Sequence, residues 1–127
     1  MIYTAIIDDS DFFRKFMTGI CKDISLEVVE TFPRGDYFVE KLKSGEYSEL
    51  NLILLDINMP GKSGVDLIED ILDILPDVII IMVSTLSSME VVDKSLDLGA
   101  TNYITKESKP EEMKDTILST LKMSGLI

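Results

Sequence analysis

Histidine and tryptophan are absent from the 127-residue chain, and cysteine occurs once, at Cys21. Without histidine, no step can rest on an imidazole base, a phosphohistidine or a histidine metal ligand of this chain. Serine–histidine and cysteine–histidine catalysis are excluded with it. One cysteine rules out an internal disulfide and fits a reducing compartment. Basic residues are also few: 12 Lys and Arg face 23 Asp and Glu, for a net charge of −11. They are scattered, which argues against a footprint for a phosphate backbone, so no nucleic-acid partner is expected. No apolar run approaches the ~20 residues a membrane span requires, and no basic-then-apolar leader opens the sequence. The expectation is a cytoplasmic protein without membrane contact. Repeats, linkers and low-complexity segments are missing as well, which leaves one domain over residues 1–127. A 46% apolar share is enough to bury a core.

Short β-rich runs alternate with segments of helical period. Strands are predicted at Ile2–Ile7, Leu26–Thr31, Leu52–Leu55, Val78–Val83 and Thr101–Ile104. The first, third and fourth are continuously apolar, as strands covered on both faces should be, while the mixed fifth suits an edge. Phe12, Phe13, Phe16, Met17 and Ile20 recur at helical spacing, as do Val65, Ile68, Leu72 and Leu75. Capping boxes are read at Ser63 with Asp66, Ser87 with Glu90, and Ser108 with Glu111. Gly45, Pro76 and Gly99 mark helix ends, and Pro110 fits a first helical turn. Five alternating units predict an α/β fold: a five-stranded parallel sheet, order 2-1-3-4-5, with five helices on both faces in the flavodoxin-like manner. Such sheets bind ligands at the carboxyl ends of their strands.

Those ends are polar. Asp8 and Asp9 follow the first strand in "IIDDSDF", with Asp11 close behind. Asp56 ends the third in "LILLDINMPGKSG", Ser84 and Thr85 the fourth in "IMVSTLSS", and Thr105 and Lys106 the fifth in "NYITKES". Each has an ordinary reading: a turn or a cap for the acids and the serine, a solvated charge for the lysine. Together they would place three carboxylates, a hydroxyl and an ammonium on one rim. Two unit charges about 4 Å apart repel by roughly 4 kcal/mol at an effective dielectric near 20, so a proton or a hard cation must intervene. Oxygen donors without nitrogen or sulfur favour Mg²⁺, which pairs naturally with phosphate. A carboxylate, a metal and a lysine suit phosphoryl transfer, with Asp56 as acceptor. The "GKS" at Gly61–Ser63 resembles the tail of a nucleotide-binding loop, but Asp56 stands where that motif begins with glycine and would repel the phosphates.

The segments "DDS", "LLDINMPGKSG", "VST" and "YITK", in this order and spacing, resemble the response-regulator receiver domain of two-component signalling, of the single-domain chemotaxis-regulator type. The resemblance runs to about Met123. It implies a stand-alone, Mg²⁺-dependent switch phosphorylated on Asp56 by a sensor histidine kinase or an acyl phosphate. By position, Asp9 would bind Mg²⁺ directly, Asp8 largely through water, and Asn58 through its main-chain carbonyl. Lys106 would pair with the phosphoryl oxygens, Ser84 would be the switch hydroxyl and Tyr103 the aromatic switch. An alternative for Tyr103 is an edge-strand aromatic packed on a helix. Output would be contact with a downstream protein through the face of the fourth helix, fifth strand and fifth helix. A monomer is expected, with a weak homodimer as the alternative. The family's usual proline after the lysine is replaced by Glu107, so a trans bond and a differently shaped loop are expected there. Leu86 cannot hydrogen-bond a hydrolytic water and Asn58 can, so dephosphorylation should depend more on Asn58. Competing readings are a phosphate sink for a kinase, an aspartyl-nucleophile phosphatase, and an acidic scaffold without chemistry. Asn58 stands where the phosphatase would carry its second acid.

Overall fold

The computed structural model describes residues 1–85 and 89–127, with Met89 described by its backbone alone. Five strands and five helices alternate: β1 (Tyr3–Ile7), α1 (Asp11–Asp23), β2 (Glu27–Phe32), α2 (Gly35–Lys43), β3 (Leu52–Asp56), α3 (Gly64–Ile74), β4 (Ile79–Ser84), α4 (Met89–Leu98), β5 (Asn102–Thr105) and α5 (Pro110–Met123). All pairings are parallel, in the order β2-β1-β3-β4-β5. Observed strands begin and end within about a residue of the predicted ones, and Asp56 proves to be the last residue of β3 rather than the first beyond it.

Period-two alternation divides the core into two layers, one on each side of the sheet. Ala5, Ile7, Ile53, Leu55, Ile80 and Met82 pack with Phe38, Leu42, Leu67, Ile68 and Val92 from α2, α3 and α4. Ile6, Leu52, Leu54, Ile81, Val83 and Ile104 pack with Phe13, Met17, Met113 and Ile117 from α1 and α5. Because the central strands are buried on both faces, their apolar runs are continuous. Parallel register then brings four strand ends to one rim, with Asp56 opposite Val83 and Ser84 opposite Thr105.

Two local expectations need correction. Phe12 shares the helical spacing of the α1 core residues but is 77% exposed, because the apolar stripe is narrower than the run of aromatics and leaves it outside. Ser108 does not cap α5. The N-cap is Lys109, Pro110 occupies the first turn, and the Ser108 hydroxyl is instead 2.6 Å from the Thr105 hydroxyl. At α3 the Asp66 carboxylate does reach back, accepting from the Ser63 N–H at 3.3 Å and hydroxyl at 3.2 Å. The box read at Ser87 with Glu90, and Leu86, lie outside the described residues. Among the described residues no peptide bond is cis, and no helix is long and apolar enough to cross a membrane.

Candidate functional site at the carboxyl rim

Backbone hydrogen bonds set each strand end in place before any side chain acts. The Asp8 N–H donates to the Phe32 carbonyl at 3.0 Å, the Ile57 N–H to the Val83 carbonyl at 3.0 Å, and the Lys106 N–H to the Ser84 carbonyl at 2.7 Å. These bonds continue the sheet one residue past its strands, so the polar side chains leave a rigid platform.

Asp8 is 2% exposed and well partnered. One carboxylate oxygen accepts from the Ser10 N–H at 2.8 Å, and the other lies 2.9 Å from Lys106 Nζ. Its carbonyl accepts from Arg14 Nη1 at 2.7 Å. Asp9 is exposed. Asp11 turns outward to Arg14 and Lys15 at 3.1 and 3.2 Å and takes no part.

Asp56, 1% exposed, is only half satisfied. Its Oδ1 accepts from the Asn58 N–H at 3.2 Å, whereas Oδ2 makes no hydrogen bond among the described residues and has Lys106 Nζ at 3.5 Å. Burial, reinforced by the Asp8 charge, lifts its carboxyl to about 7, against the opposing pull of Lys106 and the Asn58 N–H. A buried carboxylate oxygen without a donor is costly unless something binds it. Ser84 Oγ is likewise fully buried and without a hydrogen bond among the described residues.

One oxygen from each of Asp8, Asp9 and Asp56 falls within 4.8 Å of the others. An all-oxygen donor set around a bare, buried carboxylate oxygen fits a hard divalent cation. Tyr103 stands apart from this cluster. It is half-buried against the core layer of α2, α3 and α4, in the strand position beside Met82.

The sequence profile of the response regulator receiver domain matches residues 4–118. The chain belongs to that family. It is 34% identical to the chemotaxis protein CheY of Treponema pallidum over 92% of this chain and 81% of the relative. It is 30% identical to CheY of Thermotoga maritima over 88% and 91%, respectively. Among solved structures, the CheX–CheY–BeF3–Mg complex of Borrelia burgdorferi has a TM-score of 0.85 at 27% identity, covering 94% of this chain and 89% of that one. Other curated relatives are longer, and the chain spans 50% of one and 33% of another. Receiver domains are signalling domains of two-component systems, and the strand order, helices and acidic cluster of this chain are those of a CheY-like receiver.

Four of the residues read from the sequence therefore meet in space: Asp8, Asp9, Asp56 and Lys106. Ser84 sits in the adjoining strand, joined to Lys106 through the backbone. Three contributors to the platform went unread. Arg14 grips the Asp8 carbonyl, which no sequence pattern announces. Phe13, counted as core, has its ring under the Lys106 ammonium, 4.6 Å from the centroid. Gly64 leaves room for the Asp56 carbonyl, with which a Cβ at this position would clash. Glycine at the first position of a helix, where it is a poor helix former, was the available signal.

Proposed function

We propose that residues 1–127 form one receiver unit in which Asp56 is the phosphoacceptor of a Mg²⁺-dependent switch. The observation that carries this reading is the bare, buried Oδ2 of Asp56, beside Lys106 and within a three-carboxylate cluster. Oδ2 attacks phosphorus of a phosphohistidine on a sensor kinase or of an acyl phosphate. The P–O bond to Asp56 forms as the P–N or P–O bond to the donor breaks, and the leaving imidazole or carboxylate keeps the electron pair. Asp8, Asp9, Asp56 and the Asn58 carbonyl would hold the metal, with Asp8 acting largely through water. Bound Mg²⁺ would neutralise charge on the transferring group, as it does in phosphoryl transfer generally.

Lys106 neutralises the phosphoryl oxygens from the protein side. The product adds roughly −1.5 to −2 charge and strong acceptor oxygens beside a Ser84 hydroxyl that has no hydrogen-bond partner among the described residues. That hydroxyl and Tyr103 on β5 are the elements whose contacts differ between resting and phosphorylated forms. They bias the face formed by α4, β5 and α5 towards a downstream protein. The same chemistry would serve a phosphate sink, whose distinguishing feature is the lack of such a target. The cytoplasm, where kinase domains and Mg²⁺ meet, is the compartment this reading requires.

Incubation with Mg²⁺ and acetyl phosphate, followed by intact-mass measurement, tests the proposal. The parent should gain one phosphoryl group, and Asp56→Ala and the chelator-treated parent none. An equal gain by Asp56→Ala would end the assignment, and turnover of a phosphomonoester would favour the phosphatase reading instead.

A further inference from the structure

We infer that Phe13 is a positioning residue for Lys106, its ring face holding the ammonium where it can meet a phosphoryl group. The inference rests on the role proposed above for Lys106 and goes beyond it to ask what keeps that side chain in place. A lysine is a compact charge on a flexible four-carbon stem, and nothing in its own covalent structure aims it. Among the described residues Lys106 Nζ has three partners: Asp8 at 2.9 Å, Asp56 at 3.5 Å and the Phe13 ring centroid at 4.6 Å. The two carboxylates are also the groups that a metal and a phosphoryl group would engage. A carboxylate bound to a divalent cation has less negative charge to offer a lysine. The ring is the one partner of the three that neither metal binding nor phosphorylation consumes.

Its geometry is fixed from several sides. Phe13 is 8% exposed and packs with Met17 and Met113 in the layer of α1 and α5. It meets the Phe16 ring at 5.6 Å between centroids, tilted by 41°. Its N–H donates to the Ser10 hydroxyl at 3.2 Å, and the Ser10 N–H donates to Asp8 at 2.8 Å. The acid that pairs with Lys106 and the ring beneath it are thus tied together within a few residues. An aromatic face carries negative quadrupole density, and attraction for a cation is strengthened when the site is partly desolvated. Lys106 meets that condition, its side chain being 21% exposed. The competing account is that Phe13 is ordinary core over which the lysine stem happens to lie.

Site-specific replacement of Phe13 by mono-, di- and trifluorinated phenylalanine separates the two, because fluorine drains the quadrupole while leaving shape and burial nearly intact. With Mg²⁺ and acetyl phosphate, the phosphorylation rate should fall stepwise along the series, by roughly three- to tenfold at the trifluoro ring. Phe13→Tyr should stay within about twofold of the parent, and Phe13→Leu should be as slow as the trifluoro protein. Independently of activity, the Lys106 Hε protons of the metal-free protein should resonate upfield through the ring current and return to ordinary positions in Phe13→Leu. A flat fluorination series, or Hε shifts that Phe13→Leu leaves unchanged, overturns the positioning role. Lys106→Ala serves as the control. If it slows phosphorylation while the fluorinated series is flat, only this inference fails; if it leaves the rate unchanged, the role of Lys106 fails and this inference with it.

Discussion

In the proposed switch, Ser84 is a residue suited to the phosphorylated state rather than to the resting one. Its hydroxyl is fully buried at the end of β4 and makes no hydrogen bond among the described residues. Leaving such a group unpaired costs on the order of 1–3 kcal/mol, whereas an apolar replacement of similar shape can be neutral or stabilising. Ser84→Ala should therefore leave the resting protein as stable as the parent or up to ~1 kcal/mol more stable in urea unfolding. The extra stability gained on phosphorylation should be smaller than in the parent, because the phosphoryl oxygen loses its donor. A resting protein weakened by more than ~1 kcal/mol would mean that the hydroxyl is satisfied before phosphorylation. The same scale explains which residues of the candidate site could be read in advance. Asp8, Asp9, Asp56 and Lys106 were legible because a charge at the end of an apolar strand conflicts with its surroundings and demands a reason. Phe13 carries no such conflict, since an aromatic at core spacing is already explained by burial. Cys21 is buried, and burial pushes its thiol up to about 12, so little thiolate is available to react.

Between residue and molecule, the turn joining β3 to α3 carries the strongest geometric demand. Asp56 must leave the sheet with its carboxyl in the rim while the chain reverses through Pro60 and Gly61 into a helix. Gly64 is where that reversal closes, its N–H donating to the Ile57 carbonyl at 3.0 Å. A methyl group there would meet the Asp56 carbonyl, which is backbone and has little freedom to yield. Gly64→Ala should lose roughly 1–3 kcal/mol in denaturant unfolding. Its phosphorylation by acetyl phosphate should slow by more than that loss explains, since Asp56, the proposed acceptor, is itself displaced. An unperturbed rate would show that the turn relaxes away from Asp56. Helix identities at this scale followed from hydrophobic period, and those of β1, β3 and β4 from continuous apolar runs that the structure buries on both faces. The caps followed less well. Ser108 satisfies the box spacing with Glu111, yet Pro110 starts α5 with no N–H in need of an acceptor, and the hydroxyl turns to Thr105 instead. Phe12 shows the matching limit for periodicity, which marks a face but not how wide the covering layer is.

Across the whole molecule, a parallel sheet that buries its strands on both faces leaves its polar chemistry nowhere to gather except the rim. That concentration has a thermodynamic consequence in a chain of net charge −11. The Asp56 carboxyl titrates near 7 in the folded, metal-free protein but near its ordinary 3.8 in the unfolded chain. Between those values the native state holds a proton that the unfolded state has released. Stability from this group is therefore greatest at and below about pH 4, and it falls as pH rises through about 7. In the presence of a chelator, the parent should lose on the order of 1–3 kcal/mol more than Asp56→Asn between pH 5 and pH 8, measured by urea midpoints. Every other carboxylate is common to the two proteins, so the difference isolates the one at the centre of the site. Saturating Mg²⁺ should abolish the excess loss, because a bound cation favours the ionised carboxylate and stabilises only the folded state. Parallel pH profiles for the two proteins in chelator would instead place the repulsion outside Asp56. A profile insensitive to Mg²⁺ would show that the three carboxylates converge without forming a cation site.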